Sequence, residues 1–283
     1  MKLLTLNTHS LEEPDYAKKT EKFIEMLEKE QPDIIALQEV NQTIRENEIP
    51  DIMLDGYIRC GTFNRPVRQD NHARYVVEEL RKRNVYYYWT WISAKIGYGK
   101  YDEGMALLSK KPIKRAQEFL ISKGDDYENW KTRKTLGIQV EGCKDWFFTV
   151  HMGWWNDEEE PFTDQWKCMS HTFDDSMYQE GSIWLMGDFN SQADVRGEGY
   201  DLIRNAGWKD TYLLADEKDS GITVAEEIDG WRKEDKRNGA SKNEKRLDYI
   251  FVNKPECVRS SKVICNGDHY PVVSDHYGVE ITV

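Results

Sequence analysis

At 283 residues, with a formal net charge of −12, the chain can bury a full core. It is also too acidic for a sequence-independent nucleic-acid binder, which needs a basic surface to displace counterions from phosphates. Its 39% hydrophobic content excludes a disordered chain, and no apolar run is long enough to span a bilayer.

Five cysteines lie far apart with no C-x-x-C pair, which argues against a disulfide framework or a thiolate zinc site. No basic-then-apolar leader precedes the first strand-like run, and no linker, repeat or low-complexity tract follows. The expectation is a cytoplasmic protein with one domain, residues 1–283.

Residues 2–6 read as a short strand ending at Asn7. Phe23, Ile24 and Leu27 give residues 15–30 the stripe of an amphipathic helix, which Pro32 stops. Residues 33–37 form a second, buried strand that delivers Gln38 and Glu39. Strand, helix and strand in so short a span predict two neighbouring strands ending near one edge. Residues 41–68 are polar, rich in turn formers and yield no element.

Residues 69–83 read as a helix with Tyr75, Val76 and Leu80 inward. Residues 85–92, Val-Tyr-Tyr-Tyr-Trp-Thr-Trp-Ile, are β-prone, with alternate side chains expected in the core. A loop rich in glycine and tyrosine covers 96–101, and strands at 105–109, 113–121, 135–140 and 146–150 predict an antiparallel meander. The loop 152–162 carries Trp154, Trp155 and an acidic run at 157–160, read as solvated surface or a helix start. Ten Trp and fifteen Tyr suggest flat apolar binding walls as well as core.

Residues 182–186 are an apolar strand that Gly187 ends, with Asp188 and Asn190 just beyond. Residues 198–206 look helical. Residues 216–243 are highly charged without apolar periodicity and read as a long loop or an excursion over the active edge. Strands at 247–253, 258–265 and 278–283 close the chain.

Several of these strands end on acids, amides or histidines: Asn7, Glu39, His151, Asp188 with Asn190, Asp248, and Asp275 with His276. Each alone could be a turn former, a cap or a surface group. So many polar groups at strand ends are harder to assign to packing. A carboxylate and an amide two residues apart point into the same cleft, one to activate or position a water, the other to donate to a phosphoryl oxygen. Carboxylates with a substrate phosphate make a Mg²⁺ site, and a histidine backed by a carboxylate has a fixed tautomer and holds its proton more firmly.

The runs Leu3-Leu4-Thr5-Leu6-Asn7, Ile35-Ala36-Leu37-Gln38-Glu39-Val40, Val150-His151-Met152-Gly153, Gly187-Asp188-Phe189-Asn190, Leu247-Asp248-Tyr249-Ile250-Phe251 and Ser274-Asp275-His276 resemble the ordered motif set of the endonuclease/exonuclease/phosphatase superfamily. That superfamily includes DNase I-like nucleases, sphingomyelinases and inositol phosphatases. The resemblance runs from end to end of the chain. It implies an α+β fold, a four-layer αββα sandwich of two packed, mainly antiparallel sheets flanked by helices, with the site between the sheets' edges. It also implies Mg²⁺-dependent phosphoester hydrolysis, with Mn²⁺ as a substitute and no covalent intermediate.

By that resemblance Glu39 would bind the metal, with Asn7 and Asp275 beside it. Asp188 would position or deprotonate the attacking water and Asn190 would hold a phosphoryl oxygen. His276, oriented by Asp248, would stabilise the phosphoryl charge. His151 would protonate the leaving oxygen or bind the phosphate. Glu103 would orient His151, or be a plain loop acid.

A narrower likeness involves Asp70-Asn71, Tyr86-Tyr87-Tyr88-Trp89-Thr90-Trp91, Ile96-Gly97-Tyr98, Tyr101-Asp102-Glu103-Gly104 and His151-Met152-Gly153-Trp154-Trp155. These are similar to bacterial maltose 6′-phosphate phosphatases, and His151 departs from the tyrosine and asparagine pattern of apurinic-site nucleases. The implied substrate is a phosphorylated disaccharide, maltose 6′-phosphate split to maltose and phosphate, with no nucleic-acid or membrane partner. Trp154 and Trp155 would be wall residues, and Glu103, His9 and Arg133 further substrate contacts. The alternative is a DNase I-like metal-dependent endonuclease or phosphodiesterase. His72, His171 and His269 are expected to be structural or on the surface.

Overall fold

Leu3, Thr5 and Asn7 face one way along the first strand and Leu4 and Leu6 the other, and the same alternation sorts side chains through most of the chain. The computed structural model describes residues 1–61, 64–225, 228 and 244–283. Its elements begin with β1 (Lys2–Asn7), α1 (Tyr16–Glu30), β2 (Ile34–Thr43), α2 (His72–Lys82), β3 (Tyr88–Gly97), β4 (Tyr101–Ser109) and β5 (Ile113–Leu120). There follow β6 (Lys134–Val140), β7 (Trp146–His151), α3 (Phe162–Thr172), β8 (Ile183–Asp188) and α4 (Gly199–Asn205). The short β9 (Lys209–Asp210), α5 (Thr211–Leu214) and β10 (Glu217–Lys218) come next, then β11 (Asp248–Val252), β12 (Ser260–Ile264) and β13 (Gly278–Thr282).

Seven strands form one sheet in the order β10-β12-β13-β1-β2-β4-β3, and six form the other in the order β5-β6-β7-β8-β11-β9. Both are mixed. The β1–β2, β7–β8 and β10–β12 pairs are parallel and the remaining neighbours antiparallel. Three apolar interfaces stack through the molecule. Phe23 and Leu27 of α1 and Val76 and Leu80 of α2 pack on Leu4, Leu37, Trp91 and Leu108 of the first sheet. Leu3, Ile92 and Leu107 meet Ile138, Phe147, Met186 and Ile250 between the sheets. Phe162 and Trp166 of α3 and Tyr200 of α4 cover Phe148, Leu185 and Phe251 on the far side. Helix, sheet, sheet, helix is the expected αββα order.

The aromatic strand behaves as its alternation predicts, with Tyr87, Trp89 and Trp91 buried and Tyr86 and Tyr88 exposed. The expected meander forms in part: β5, β6 and β7 pair antiparallel in chain order, but β4 does not join them. β4 pairs with β2 and β3, whereas β5 opens the other sheet. Strand periodicity carries no information on which sheet a strand joins, and the turn at 110–112 crosses between them. The acidic run is only partly surface. Glu160 is buried and accepts the backbone N–H groups of Lys123 and Gly124, at 2.7 and 3.0 Å. Of the charged stretch 216–243, residues 226–227 and 229–243 lie outside the described residues.

His72, expected to be structural, is buried with its ring stacked on Phe23 and its Nδ1 3.0 Å from the Tyr16 hydroxyl. Its Nε2 is buried without a partner among the described residues. Burial lowers its pKa to about 3. The folded state therefore resists a proton that the unfolded chain accepts near pH 6.5, so this site loses stability as pH falls below that value. At pH 5 the loss is about 2 kcal/mol. Urea unfolding at pH 7.5 and 5 should show a drop larger by about that amount in the wild type than in His72→Phe. Equal drops in the two proteins would contradict the assignment.

Candidate active site

The inward faces of four strands bring polar groups to the same edge of the sandwich. Asn7 follows Leu3 and Thr5 on β1, His151 follows Phe147 and Thr149 on β7, and Asp188 follows Trp184 and Met186 on β8. β11 runs the other way, so Asp248 stands at its start, ahead of Ile250 and Val252. The pairs His151–Asp188 and Asp188–Asp248 are direct register partners, which fixes all three across adjacent strands.

Glu39 reaches the same place by an irregularity. Leu37 pairs with Ala106 and Val40 with Gly104, so β2 carries an extra residue there. Glu39 sits in that bulge with φ 51°, and Asn190 past β8 has φ 45°. Both are left-handed conformations that bulky side chains adopt rarely, held here beside the cleft.

The groups form one contact network. Asn7 Nδ2 donates to Glu39 Oε1 at 2.9 Å and to Asp188 Oδ2 at 3.2 Å. His151 Nε2 lies 3.6 Å from Asp188 Oδ2 and 4.0 Å from Glu39 Oε1. The Asn190 N–H donates to Asp188 Oδ1 at 2.8 Å, and its Nδ2 to the Met152 carbonyl at 2.9 Å. His276 Nδ1 meets Asp248 Oδ2 at 2.9 Å, with Nε2 3.8 Å from Asp188 Oδ2.

Electrostatics assign these groups different protonation states. Burial would strip His276 of its proton, but Asp248 and Asp188 hold its pKa well above the usual value. Burial and then the positive Arg133, Lys95 and His276 drive His151 well below it, so His151 is neutral. Of the two roles expected of His151, hydrogen bonding to the phosphate fits this state better than acting as a proton donor. Burial raises Asp188 to about 7 against the pull of His276, which poises a base near neutrality.

A divalent cation fits the oxygen-rich side of this edge. Burial, then the neighbouring Glu103 and Asp275 carboxylates, raise the pKa of Glu39, a crowding that a hard cation relieves. Glu39 and Asp275 would hold it, with Asp188 adjacent. Asn7 stands beside Glu39, the side of the edge expected of it. Its amide nitrogen ties Glu39 to Asp188 and its Oδ1 accepts the His9 N–H at 3.2 Å. Asp188, Asp248 and His276 also place ligand-type atoms within 4.8 Å of one another, but the His276–Asp248 hydrogen bond already engages two of the three.

A cavity of about 360 Å³ opens on this edge, lined by Glu39, His151, Asp188, Asn190, Asp275 and His276 together with His9, Glu103, Arg133 and Trp154. Trp155 is a correction, because its ring packs toward Phe162 on the far apolar layer and away from the cavity. Glu103 is a second, since its carboxylate bonds Lys95 Nζ at 3.0 Å, so it positions that lysine rather than His151. His9 bonds Glu13 at 3.0 Å and the Tyr98 hydroxyl at 3.1 Å. Burial lowers its pKa, but Glu13, Glu39 and Asp275 outweigh that and raise it to about 9. Lys95 and Trp130 line the cavity as well and were not singled out from the sequence, and so does Tyr98, which the narrower likeness includes without a role.

The profile of the endonuclease/exonuclease/phosphatase family matches residues 4–276. An endonuclease/exonuclease/phosphatase family protein from Leptotrichia buccalis C-1013-b is 33% identical, with a TM-score of 0.83 over 100% of this chain and 98% of that one. A mannosyl-6-phosphatase from Bacteroides thetaiotaomicron VPI-5482 shares the fold at 15% identity and TM-score 0.64, covering 100% of this chain and 98% of its own. So does a 3′ phosphatase from Neisseria bound to a product DNA hairpin, at 17% identity and TM-score 0.61, with 100% and 98% covered. No curated protein matches the chain in sequence.

Proposed function

Because the chain belongs to the endonuclease/exonuclease/phosphatase family, we propose that it is a Mg²⁺-dependent phosphomonoesterase of a phosphorylated disaccharide, with maltose 6′-phosphate as the leading substrate. The observation that carries this reading is the make-up of the cavity. Its inner end holds Glu39, His151, Asp188, Asn190 and His276, while Trp130, Trp154 and Tyr98 line the same space. Trp130 and Trp154 stand with ring centroids 5.3 Å apart at 60°, and Trp130 and Tyr98 are 50% and 48% exposed. Aromatic faces stack on the apolar faces of sugar rings, and acids and amides between them take the hydroxyls. The formal net charge of −12 favours a small ligand over a long polyanion. The mannosyl-6-phosphatase of the same fold acts on a sugar phosphate by its name, which supports this class.

In this reading Asp188 takes a proton from the attacking water as its oxygen bonds to phosphorus, the bond from phosphorus to the sugar oxygen breaks as the new one forms, and the leaving oxygen takes its proton from solvent. Asn190 and the His276 imidazolium donate to the phosphoryl oxygens as charge develops, and neutral His151 donates a ring N–H to the phosphate. The divalent ion, when bound, polarises a phosphoryl oxygen and offsets the dianion's charge.

Phosphate release in Mg²⁺ from maltose 6′-phosphate, glucose 6-phosphate and trehalose 6-phosphate, run beside plasmid nicking, tests the proposal. Maltose 6′-phosphate should be cleaved fastest and the plasmid stay closed. Nicked plasmid without free phosphate would replace the proposal with the endonuclease reading.

A further inference from the structure

Lys95 and Arg133 have no task in the steps above, yet both are almost wholly buried, at 7% and 4% exposure. Both line the cavity alongside His151, Asp188 and Glu39. Two like charges removed from water need anions near them. Lys95 has Glu103, at 3.0 Å. Arg133 has no carboxylate at ion-pair distance among the described residues. Its Nη1 donates to the carbonyls of Trp130 and Thr132, at 2.8 and 3.3 Å, and its Nε is buried with no partner among them. Arg133 acts on Lys95 and both act on His151, while Glu103, Glu39 and Asp188 act on Arg133 from beyond ion-pair distance.

The chain takes specific steps to place them. On β3, Ser93 pairs with Gly104 and Lys95 with Glu103, so Ala94 is an extra residue that turns Lys95 from the helix-covered face to the cavity. Gly97 leaves room for the carboxylate that holds Lys95, because an added Cβ would lie 2.4 Å from Glu103 Oε2. Arg133 is fastened by its backbone, whose N–H donates to Ser122 Oγ at 3.0 Å and whose carbonyl accepts the Ile121 N–H at 2.9 Å.

We propose that Lys95 and Arg133 form a dianion reader, which grips the non-bridging oxygens of a phosphomonoester and sets a preference for monoesters over diesters. This rests on the phosphomonoesterase reading and deepens it. A monoester carries about two negative charges above pH 6 and three free oxygens, whereas a diester carries one charge and two oxygens. A fixed pair of buried cations discriminates on that second charge, and Arg133 can offer a guanidinium edge to two oxygens together.

Isothermal titration calorimetry with Mg²⁺ at about pH 8, where phosphate is a dianion, tests it with inorganic phosphate and dimethyl phosphate as probes. Lys95→Met and Arg133→Met should each weaken phosphate binding at least about tenfold and leave dimethyl phosphate within about threefold. Lys95→Met strands the buried Glu103, so the double variant Lys95→Met/Glu103→Gln, with thermal unfolding, separates lost folding from lost binding. Equal losses for both probes, or none for phosphate in folded variants, would overturn the reader. Should the wild type bind phosphate through these residues yet leave maltose 6′-phosphate intact, the sugar assignment fails and the reader stands. Turnover of maltose 6′-phosphate that is unchanged in Lys95→Met overturns the reader alone.

Discussion

Replacing Asp188 by asparagine should lower turnover about 10³-fold while the fold survives. The asparagine keeps an Oδ1 for the Asn190 N–H, now at 2.8 Å, so the loop that carries Asn190 is still held. The other carboxylate oxygen is lost. It accepts from Asn7 Nδ2 at 3.2 Å and lies 3.6 Å from His151 and 3.8 Å from His276. An amide NH₂ there offers a donor to donors and cannot take a proton from water. Burial already raises Asp188 to about 7, which means the ionised side chain costs the fold something above that pH. Asp188→Asn removes that cost, so its Tm at pH 8 should equal or exceed that of the wild type. Turnover and Tm measured together check the prediction. Near-normal turnover would remove Asp188 from the role of base, and a large fall in Tm would show that the carboxylate serves packing instead.

The gathering of Asn7, His151, Asp188 and Asp248 at one edge was legible because each ends or opens a regularly alternating strand. Glu39 depends on a bulge, and Asn190, Asp275 and His276 lie outside strands, so only the motif resemblance pointed to them. Asp188, two places beyond Met186, and His151, four beyond Phe147, face the same space those residues fill. Lys95 was hidden by the same rule. Counted from Trp89 and Trp91 it belongs to the helix-covered face, and only the extra residue at Ala94 brings it round. Trp154 and Trp155 were inseparable as neighbours in an irregular loop, where no period decides which ring turns inward.

α3 was available and passed over. Phe162, Trp166 and Met169 lie on one helical stripe, and the preceding acidic run read as solvated surface or a helix start, but no helix was drawn beyond it. Proline in fact sits at the helix start, where its missing N–H costs nothing. Sheet membership was out of reach for a different reason. β4 takes β2, far back in the chain, as a partner, whereas β5 takes β6, the next strand, and no local period announces that choice.

His276 and Asp248 should prove to be one functional unit. His276→Gln should lower kcat about 10² to 10³-fold and Asp248→Asn nearly as much, with the double variant no worse than His276→Gln alone. Both side chains are buried and joined at 2.9 Å, and Asp248 is the strongest of the groups that keep the imidazolium charged against burial. Without that carboxylate charge the His276 pKa falls. The charged form, which persists at pH values below the folded pKa, is then lost at lower pH. The alkaline limb of kcat/KM for Asp248→Asn should accordingly move to lower pH, a shift that a merely structural role would not produce. Thr223 Oγ1 accepts the Asp248 N–H at 3.2 Å, a backbone contact that the substitution leaves in place. Losses that multiply in the double variant would mean that Asp248 acts on its own. Its second oxygen, Oδ1, buried without a partner among the described residues, would then be the atom to pursue as a contact to the cation or the phosphate.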